Sequence, residues 1–599
     1  MARLTKDYIE SFLGHVLPLG LVTEEEIRRE EIEWITDSDA VRIDRYDEGD
    51  YPSSRGVLLT LMKLGEATVT AVYRGESYKA RVKVREMRRA REDASFKHYI
   101  GDLHAHTSVI HKRPGFAEEG GIGQDALIER VESEGKLDFT VMSDHGDVIS
   151  DKYFLEQFFK YEEYPEKPVV IFPSSESEVT LIETDRLGRG KHHSGEIVMI
   201  NSNNYSEAKS WEEFYSDFRD TPLPIGTFAH PQVQGGGDFG LWNHRPDINA
   251  TEDLKRIVKL IELGDGTLRS QNMLHEYSYS LALDYGFRVS PTASSDNHGP
   301  IWGYDSCPGK TVILAEEKSE EAFIDAMLAG RVYATESGCV KLSYSVNRRQ
   351  APAELDPSES TYRFRVELGL LRDEPEAMPT EIEVISDFGN TVYECEPSGE
   401  ITEFTIRSDS ARYFYLRLTD CLGRHTWSMP IYLGRAPEVY RPCPSKPLGI
   451  KHHTAYDELS GKSAGEILTT NIEEVFRAEG EEASIIIDLM NPKYVDGIGH
   501  YPEFFDRDTM KQQCLMPGFK YASFPSRYRV STSLDGVHYT KVAEGRIRIF
   551  GSEEMICFPE HIARFVRFEI LSTVGKESKK PLFRSAHPSV AILTVFGRE

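Results

Sequence analysis

The chain has 599 residues, more than one hydrophobic core usually organises, so three or more domains are expected. A formal net charge of -28 repels phosphate backbones at long range and argues against a general nucleic-acid binder. No run of about 18 apolar residues occurs, which argues against a helical membrane span, and the start Met1-Ala2-Arg3-Leu4-Thr5-Lys6-Asp7 lacks the apolar stretch of a signal peptide.

A cytoplasmic protein is therefore expected, or a secreted one if a leader has been trimmed. The cysteines at 307, 339, 395, 421, 443, 514 and 557 are odd in number, scattered and free of Cys-x-x-Cys spacing, so reduced, buried thiols are expected. Residues 1–94 read as a helical segment to about residue 38, followed by a small β domain. There Ala67–Tyr73 and Tyr78–Val84 alternate across Arg74-Gly75-Glu76-Ser77, a hairpin pattern. This piece resembles the end of a bacterial group 2 immunoglobulin-like domain, which implies a β-sandwich spacer.

Over residues 95–341 apolar strands alternate with helical segments, the pattern of a β/α barrel. The strand-like runs are Phe139–Met142, Val169–Phe172, Ile197–Ile200, Ile225–Ala229, Lys259–Leu263 and Val289–Ala293. Residues 342–436 read as strands, with Tyr362–Leu368, Glu381–Ile385 and Tyr413–Leu418 alternating as half-buried β runs, and a β-sandwich is expected. Residues 437–449, with Pro437, Pro442, Pro444 and Pro447, read as a linker. Residues 450–599 hold Ala483–Leu489, Tyr528–Ser533 before Leu534-Asp535-Gly536, Ala563–Ile570 and Val590–Phe596. Their order, the Ser-x-Asp-Gly turn and the arginine-rich penultimate strand resemble a discoidin-like, galactose-binding-type jelly roll.

The segment Asp102-Leu103-His104-Ala105-His106-Thr107 sets two imidazoles on one side of an extended chain. With 19 histidines in the chain, about 0.6 such pairs arise by chance, so the pair alone says little. It gains weight from four motifs at later strand ends: Ser143-Asp144-His145, His192-His193, Ala229-His230-Pro231 and Asp296-Asn297-His298. Imidazole mixed with carboxylate suits zinc, iron or manganese, whereas calcium and magnesium sites are oxygen-dominated. No Gly-x-Ser-x-Gly elbow or Walker-type loop is present.

The ordered set resembles the polymerase and histidinol phosphatase (PHP) superfamily, and Gly330–Thr335 resembles the end of the barrel in its large multidomain members. The fold class expected is thus multidomain α/β plus all-β: a distorted (β/α)7 PHP barrel with flanking β-sandwich domains and a C-terminal jelly roll. The resemblance implies two or three divalent ions, Mn, Zn or Fe. It places His104, His106 and Asp296 on the first and a bridging glutamate toward a second held by His145 and later histidines, with His230 and His298 completing the set. The bridge is Glu178 or Glu176; both point the same way in a strand, and the Val179-Thr180 after Glu178 favours that residue. His193 or the adjacent His192 is a further ligand, and His111 is a candidate third-ion ligand. Asp144 orients a ligand or touches the metal directly.

Two metals sharing a water generate a hydroxide nucleophile, and phosphate-ester hydrolysis is the default reaction. Arg189, Lys191, Arg245 and Arg269 are candidates for holding phosphate oxygens, and His244 for protonating a leaving group. The appended β modules point to a phosphorylated small molecule or a glycan as substrate, with no nucleic acid and no membrane partner. A carbohydrate deacetylase or glycosidase on the same barrel, and a non-catalytic carbohydrate-binding protein, are the alternatives.

Overall fold

The structure is a computed structural model. It describes residues 2–24, 31–44, 56–91, 94–107, 124–146, 149, 151–163, 169–184, 190–231, 251–266, 272–298, 302–437, 445–449, 453–469, 471, 474–503, 522–548, 553–577 and 587–599. Side chains at 180–194 are outside that set.

The described part of the first 90 residues is a β-sandwich rather than a helix followed by strands. One sheet orders Arg3–Leu4, Val16–Val22, Gly56–Leu61 and Val41–Asp44; the other orders Tyr8–Phe12, Glu76–Arg85, Gly65–Tyr73 and Ile32–Thr36. The helix expected up to residue 38 fails at Val16–Val22, where six of seven consecutive residues are buried. A helix exposes one face of such a run, and Pro18 and Gly20 are poor in its interior; in the strand Pro18 falls where only Gly56–Leu61 pairs with this segment, since Arg3–Leu4 reaches only Leu21 and Val22. The expected hairpin is present: Tyr73 pairs with Glu76, and Arg74 and Gly75 take φ of 50° and 83°, the two positive values of a type I′ turn.

Seven strands then form a curled sheet in the order Lys97–Gly101, Phe139–Met142, Val170–Thr184, Gly190–Ile200, Ile225–Phe228, Val258–Asp265 and Ser290–Ser294. All run parallel except Gly190–Ile200, which is antiparallel to both neighbours. The two edges meet just past the strand ends. There Ala105 bridges Asn297 in parallel, Asp296 N donates to His104 O at 2.9 Å, and His106 N donates to Asn297 O at 3.0 Å. Helices between these strands include Trp211–Phe218 and Glu252–Ile257, and Glu320–Leu328 follows the last strand; the three are capped by the Ser210, Thr251 and Ser319 side chains.

Gly101 lies at the exit of the first strand, where the chain turns into the His104 segment. A Cβ there would sit 2.3 Å from the Phe139 carbonyl oxygen and 2.3 Å from its ring. Gly101→Ala should cost about 1–3 kcal/mol through forced backbone shift, read as a lowered thermal midpoint.

Lys310–Ala315 pairs antiparallel with Lys97–Gly101, and Val332–Thr335 carries the sheet into His425–Trp427 of the next domain. That domain packs Tyr413–Asp420, Pro379–Ser386 and Asn390–Cys395 against a sheet of Val340–Val346, Thr361–Leu370 and Ile401–Arg407.

The C-terminal domain is a β jelly roll. Its sheet orders Lys446–Pro447, Ile592–Arg598, Ala483–Tyr501, Glu554–Thr573, Pro525–Ser533 and Thr540–Arg546. The two central strands, 19 and 20 residues long, pass through register shifts at Asp488/Lys493 and Val495/Gly497. Bulges of this kind bend long strands around a core. Lys446–Pro447, expected in the linker, pairs with this sheet. Cys557 is disulfide-bonded, against the expectation of reduced thiols; Cys443 and Cys514 lie outside the described residues, and Cys307, Cys339, Cys395 and Cys421 are free.

One helix of the curled sheet domain, Asn272–Asp284, joins all three. Met273, Leu274 and Tyr277 belong to the jelly-roll core, and Tyr279 and Leu281 pack with Tyr413 and Tyr415 of the sandwich.

Candidate metal centre

The site is built from chain segments that leave the strands at one end of the curled sheet. Asp102 ties two of them together, its Oδ1 accepting from His104 N at 3.2 Å and from Ser295 N at 3.1 Å. Asp144 holds the turn after His106: Thr107 N and Thr107 Oγ1 each donate to its carboxylate at 2.8 Å. Trp302 Nε1 donates to His106 O at 2.7 Å. His145 is set beside Glu176 by a parallel bridge between neighbouring segments. His230 and Asp296 follow their strands with φ of 24° and 47°, a left-handed backbone uncommon outside glycine and concentrated at functional sites.

Eight side chains converge: His104, His106, His145, Glu176, Glu196, His230, Asp296 and His298. They form four overlapping groups whose ligand atoms lie within 4.8 Å of one another. Glu176, fully buried, belongs to two of these groups, as do His104, His106 and His145, and it alone of the eight approaches four imidazoles through a carboxylate. Its Oε1 lies 3.2 Å from His104 Nε2 and 3.2 Å from His230 Nε2, and its Oε2 lies 2.8 Å from His145 Nδ1 and 3.4 Å from His106 Nε2. Asp296 Oδ1 approaches His106 Nε2 at 3.1 Å and His104 Nε2 at 3.4 Å. Glu196 approaches His230 Nε2 at 3.3 Å and His145 Nδ1 at 3.7 Å. His298 Nε2 faces His145 Nε2 at 3.1 Å and is the most exposed member, with 32% of its side chain accessible.

The electrostatics follow from this crowding. Burial opposes charge on His104, but Glu176, Asp296 and Glu262 override it and hold the imidazole well above its ordinary value. Burial likewise opposes charge on His230, and Glu176 and Glu196 override it. Burial, with His298 and His145 adding to it, pushes His106 well below the ordinary value. Glu176 and Asp296 are held far below the carboxylate range: burial acts against this, but the surrounding imidazoles, His104 foremost, outweigh it.

The donor set fits divalent transition ions. Five imidazoles and three carboxylates match the ligand preferences of zinc, iron and manganese. Glu176 Oε2 is buried without a hydrogen bond despite its imidazole neighbours, and buried polar atoms are ordinarily paired.

The expected residues divide three ways. His104, His106, His145, Glu176, His230, Asp296 and His298 are brought together. Glu178, favoured for the bridge, is not among them; it is half-buried, and its backbone N is bonded to Ser206 O. Glu176 and Glu178 do share a face of Val170–Thr184, but two residues of strand are about 6.6 Å, and the shorter reach from the strand entrance selects Glu176. Asp144, proposed to touch the metal or orient a ligand, meets the Thr107 backbone and hydroxyl and so positions the His106 segment. His111, Arg189, His244, Arg245 and Arg269 lie outside the described residues, as do the side chains of Lys191, His192 and His193.

Two acids escaped the sequence reading of the ligand set. Glu196 lies within Gly190–Ile200, the only antiparallel strand of the seven, where it is the cross-strand partner of Glu178. Glu262 is fully buried with its Oε2 3.3 Å from His104 Nδ1. An acid within the apolar run Lys259-Leu260-Ile261-Glu262-Leu263 was the available signal, since buried acids are rare without a partner.

No family model and no curated protein matches the chain. Among solved structures the chain is similar to CpGH89CBM32-5 from Clostridium perfringens, in complex with GalNAc-beta-1,3-galactose, at 18% identity over 25% of this chain and 100% of that one, with a TM-score of 0.20. It is also similar to the family 32 CBM from C. perfringens NanJ in complex with galactose, at 17% identity over 24% of this chain and 91% of that one, TM-score 0.18. A third is the C-terminal domain of a chitobiase from Bacteroides fragilis, at 15% identity over 25% of this chain and 97% of that one, TM-score 0.19.

Proposed function

We propose that this protein is a metal-dependent hydrolase of the PHP type that cleaves phosphate esters, with a glycan-binding jelly roll attached. The observation that carries the reading is Glu176, a buried carboxylate within 3.4 Å of four imidazoles, the arrangement of a ligand shared between ions. The seven-strand curl with its ligands at one end supports the barrel expected from the motif order. His104, His106, His145, Glu176, His230 and Asp296 would hold divalent ions, which when bound would supply water activation and stabilisation of charge developing on an attacked phosphorus.

The protein's own part is positioning. Asp102 and Asp144 fix the backbone on either side of His104 and His106, so both imidazoles are set before a ligand arrives. His298 and Asp296 are the more exposed members of the cluster, so substrate and water would enter on their side. The jelly roll supports the second reading, a carbohydrate deacetylase or glycosidase, because the Asn272–Asp284 helix docks it directly onto the domain that carries the metal centre. The disulfide at Cys557 supports an oxidising compartment over the cytoplasmic expectation. No helix among the described residues is long and apolar enough to cross a membrane.

Metal analysis of purified protein, coupled to a panel of aryl phosphate, phosphodiester and acetylated sugar, tests the proposal. More than one equivalent of Mn, Fe or Zn, with phosphoester turnover lost in His104→Ala, is expected. Metal without any phosphoester cleavage would favour the deacetylase or glycosidase; glycan binding without metal would leave a carbohydrate-binding protein. Uptake should also release protons at pH 7, because His104 and His230 are held above their ordinary values and carry protons in the metal-free state, whereas His106 is already neutral. Apparent affinity should therefore climb as pH rises through neutrality, measured by titration calorimetry in buffers of different ionisation enthalpy.

A further inference from the structure

We infer that Glu262 is the positioning residue of this centre: one carboxylate oxygen sets the orientation of His104 and the backbone of His230 together. The inference rests on the metal-hydrolase reading above.

His104 turns Nε2 into the cluster, 3.1 Å from His106 Nε2 and 3.2 Å from Glu176 Oε1, so Nδ1 is its outward nitrogen. Nδ1 meets Glu262 Oε2 at 3.3 Å. An N–H held there keeps the Nε2 lone pair for a ligand, the usual role of a carboxylate behind a metal-binding imidazole. The same oxygen accepts from His230 N at 2.9 Å, and His230 is the residue with φ of 24°. One atom thus fixes a side chain from the first strand exit and a strained backbone from the fifth.

The local sequence explains how an acid reaches this place. Glu262 sits within Val258–Asp265, whose pairing with Ser290–Ser294 slips between Glu262 and Gly264. A bulge re-aims the neighbouring side chain, and bulges recur beside active sites. Glu262 is fully buried, and its Oε1 has no hydrogen-bond partner. Leaving a carboxylate oxygen unpaired in the interior is costly, so the side chain is held there by what Oε2 does.

The test is metal affinity of the full-length protein, by competition with a chromophoric chelator for Zn²⁺, together with the visible spectrum of the Co²⁺-loaded protein and the thermal midpoint without metal. Glu262→Gln should lose about 10–100-fold in affinity and change the Co²⁺ bands, with the metal-free protein still folded. Wild-type affinity and an unchanged spectrum in folded Glu262→Gln would overturn the inference alone. Should Glu262→Gln not fold, Glu262→Asp decides: it keeps the charge but retracts the oxygen, so weakened affinity supports the role and wild-type affinity overturns it. Failure of the wild-type protein itself to take up metal overturns the hydrolase reading, and the role of Glu262 with it.

Discussion

Glu176→Gln should abolish both metal retention and turnover while changing the volume of the side chain hardly at all. Every group of ligand atoms that holds Glu176 loses its shared carboxylate, and the remaining imidazoles face one another at distances such as 3.1 Å between His104 Nε2 and His106 Nε2. Substitution of residues behind metal ligands costs about 10–100-fold in affinity, so loss of a ligand common to two positions should exceed about a hundred-fold. The metal-free variant also loses the anion that holds His104 and His230 above their ordinary values, so both should titrate at lower pH. Elemental analysis after gel filtration measures the first effect and histidine NMR titration the second. Metal content equal to wild type in Glu176→Gln would contradict the shared-ligand role; Glu178→Gln, in contrast, should retain its metal.

Asp284→Ala should be the most damaging substitution outside the metal centre. Asp284 ends the Asn272–Asp284 helix, is fully buried, and receives Arg548 Nη1 of the jelly roll, Arg412 Nη2 of the sandwich at 3.1 Å and Phe388 N at 3.1 Å. Removing it takes from the buried Arg548 guanidinium the carboxylate it is hydrogen-bonded to across the domain boundary. Breaking a buried pair from one side costs about 3–5 kcal/mol, far more than an exposed pair contributes. A second contact joins the same helix to the sandwich, where Arg417 binds Glu276 at 2.9 Å and Glu383 at 2.8 Å. Asp284→Ala should lower the thermal midpoint and raise proteolytic sensitivity at the jelly-roll boundary. Its effect should be non-additive with Arg548→Ala in a double-mutant cycle, because both remove one interaction. Additivity would show that the Asp284–Arg548 pair contributes no coupling across this boundary.

The local patterns that could be read without a structure are those with a period or a turn. The Arg74-Gly75 hairpin follows from two alternating runs around a glycine, and the strands Phe139–Met142, Ile225–Phe228 and Val258–Asp265 follow from short apolar runs. The helix expected over the first 38 residues fails because nothing in a buried run such as Val16–Val22 states which partners cover it; Pro18 and Gly20 were the available evidence against a helix. The jelly roll was legible in outline through its strand order, but its attachment was not, since Tyr277 and Arg546, 269 positions apart, meet in the fold, with the guanidinium 5.1 Å from the ring centre and Glu577 accepting from both.

By itself the amino-acid sequence determined which residue types are available and in what order: a His-x-His pair, single histidines at strand exits and an Asp-Asn-His close, all chemically suited to divalent metal. Those assignments depend on residue type and on position relative to a strand end, both local properties. The tertiary structure decided which carboxylates join them. Glu176 rather than Glu178, the unexpected Glu196 and the supporting Glu262 were selected by strand register, by one antiparallel strand and by a bulge. Each of these depends on pairing between segments far apart in the chain, and a shift of one residue in that pairing would turn a different side chain into the site.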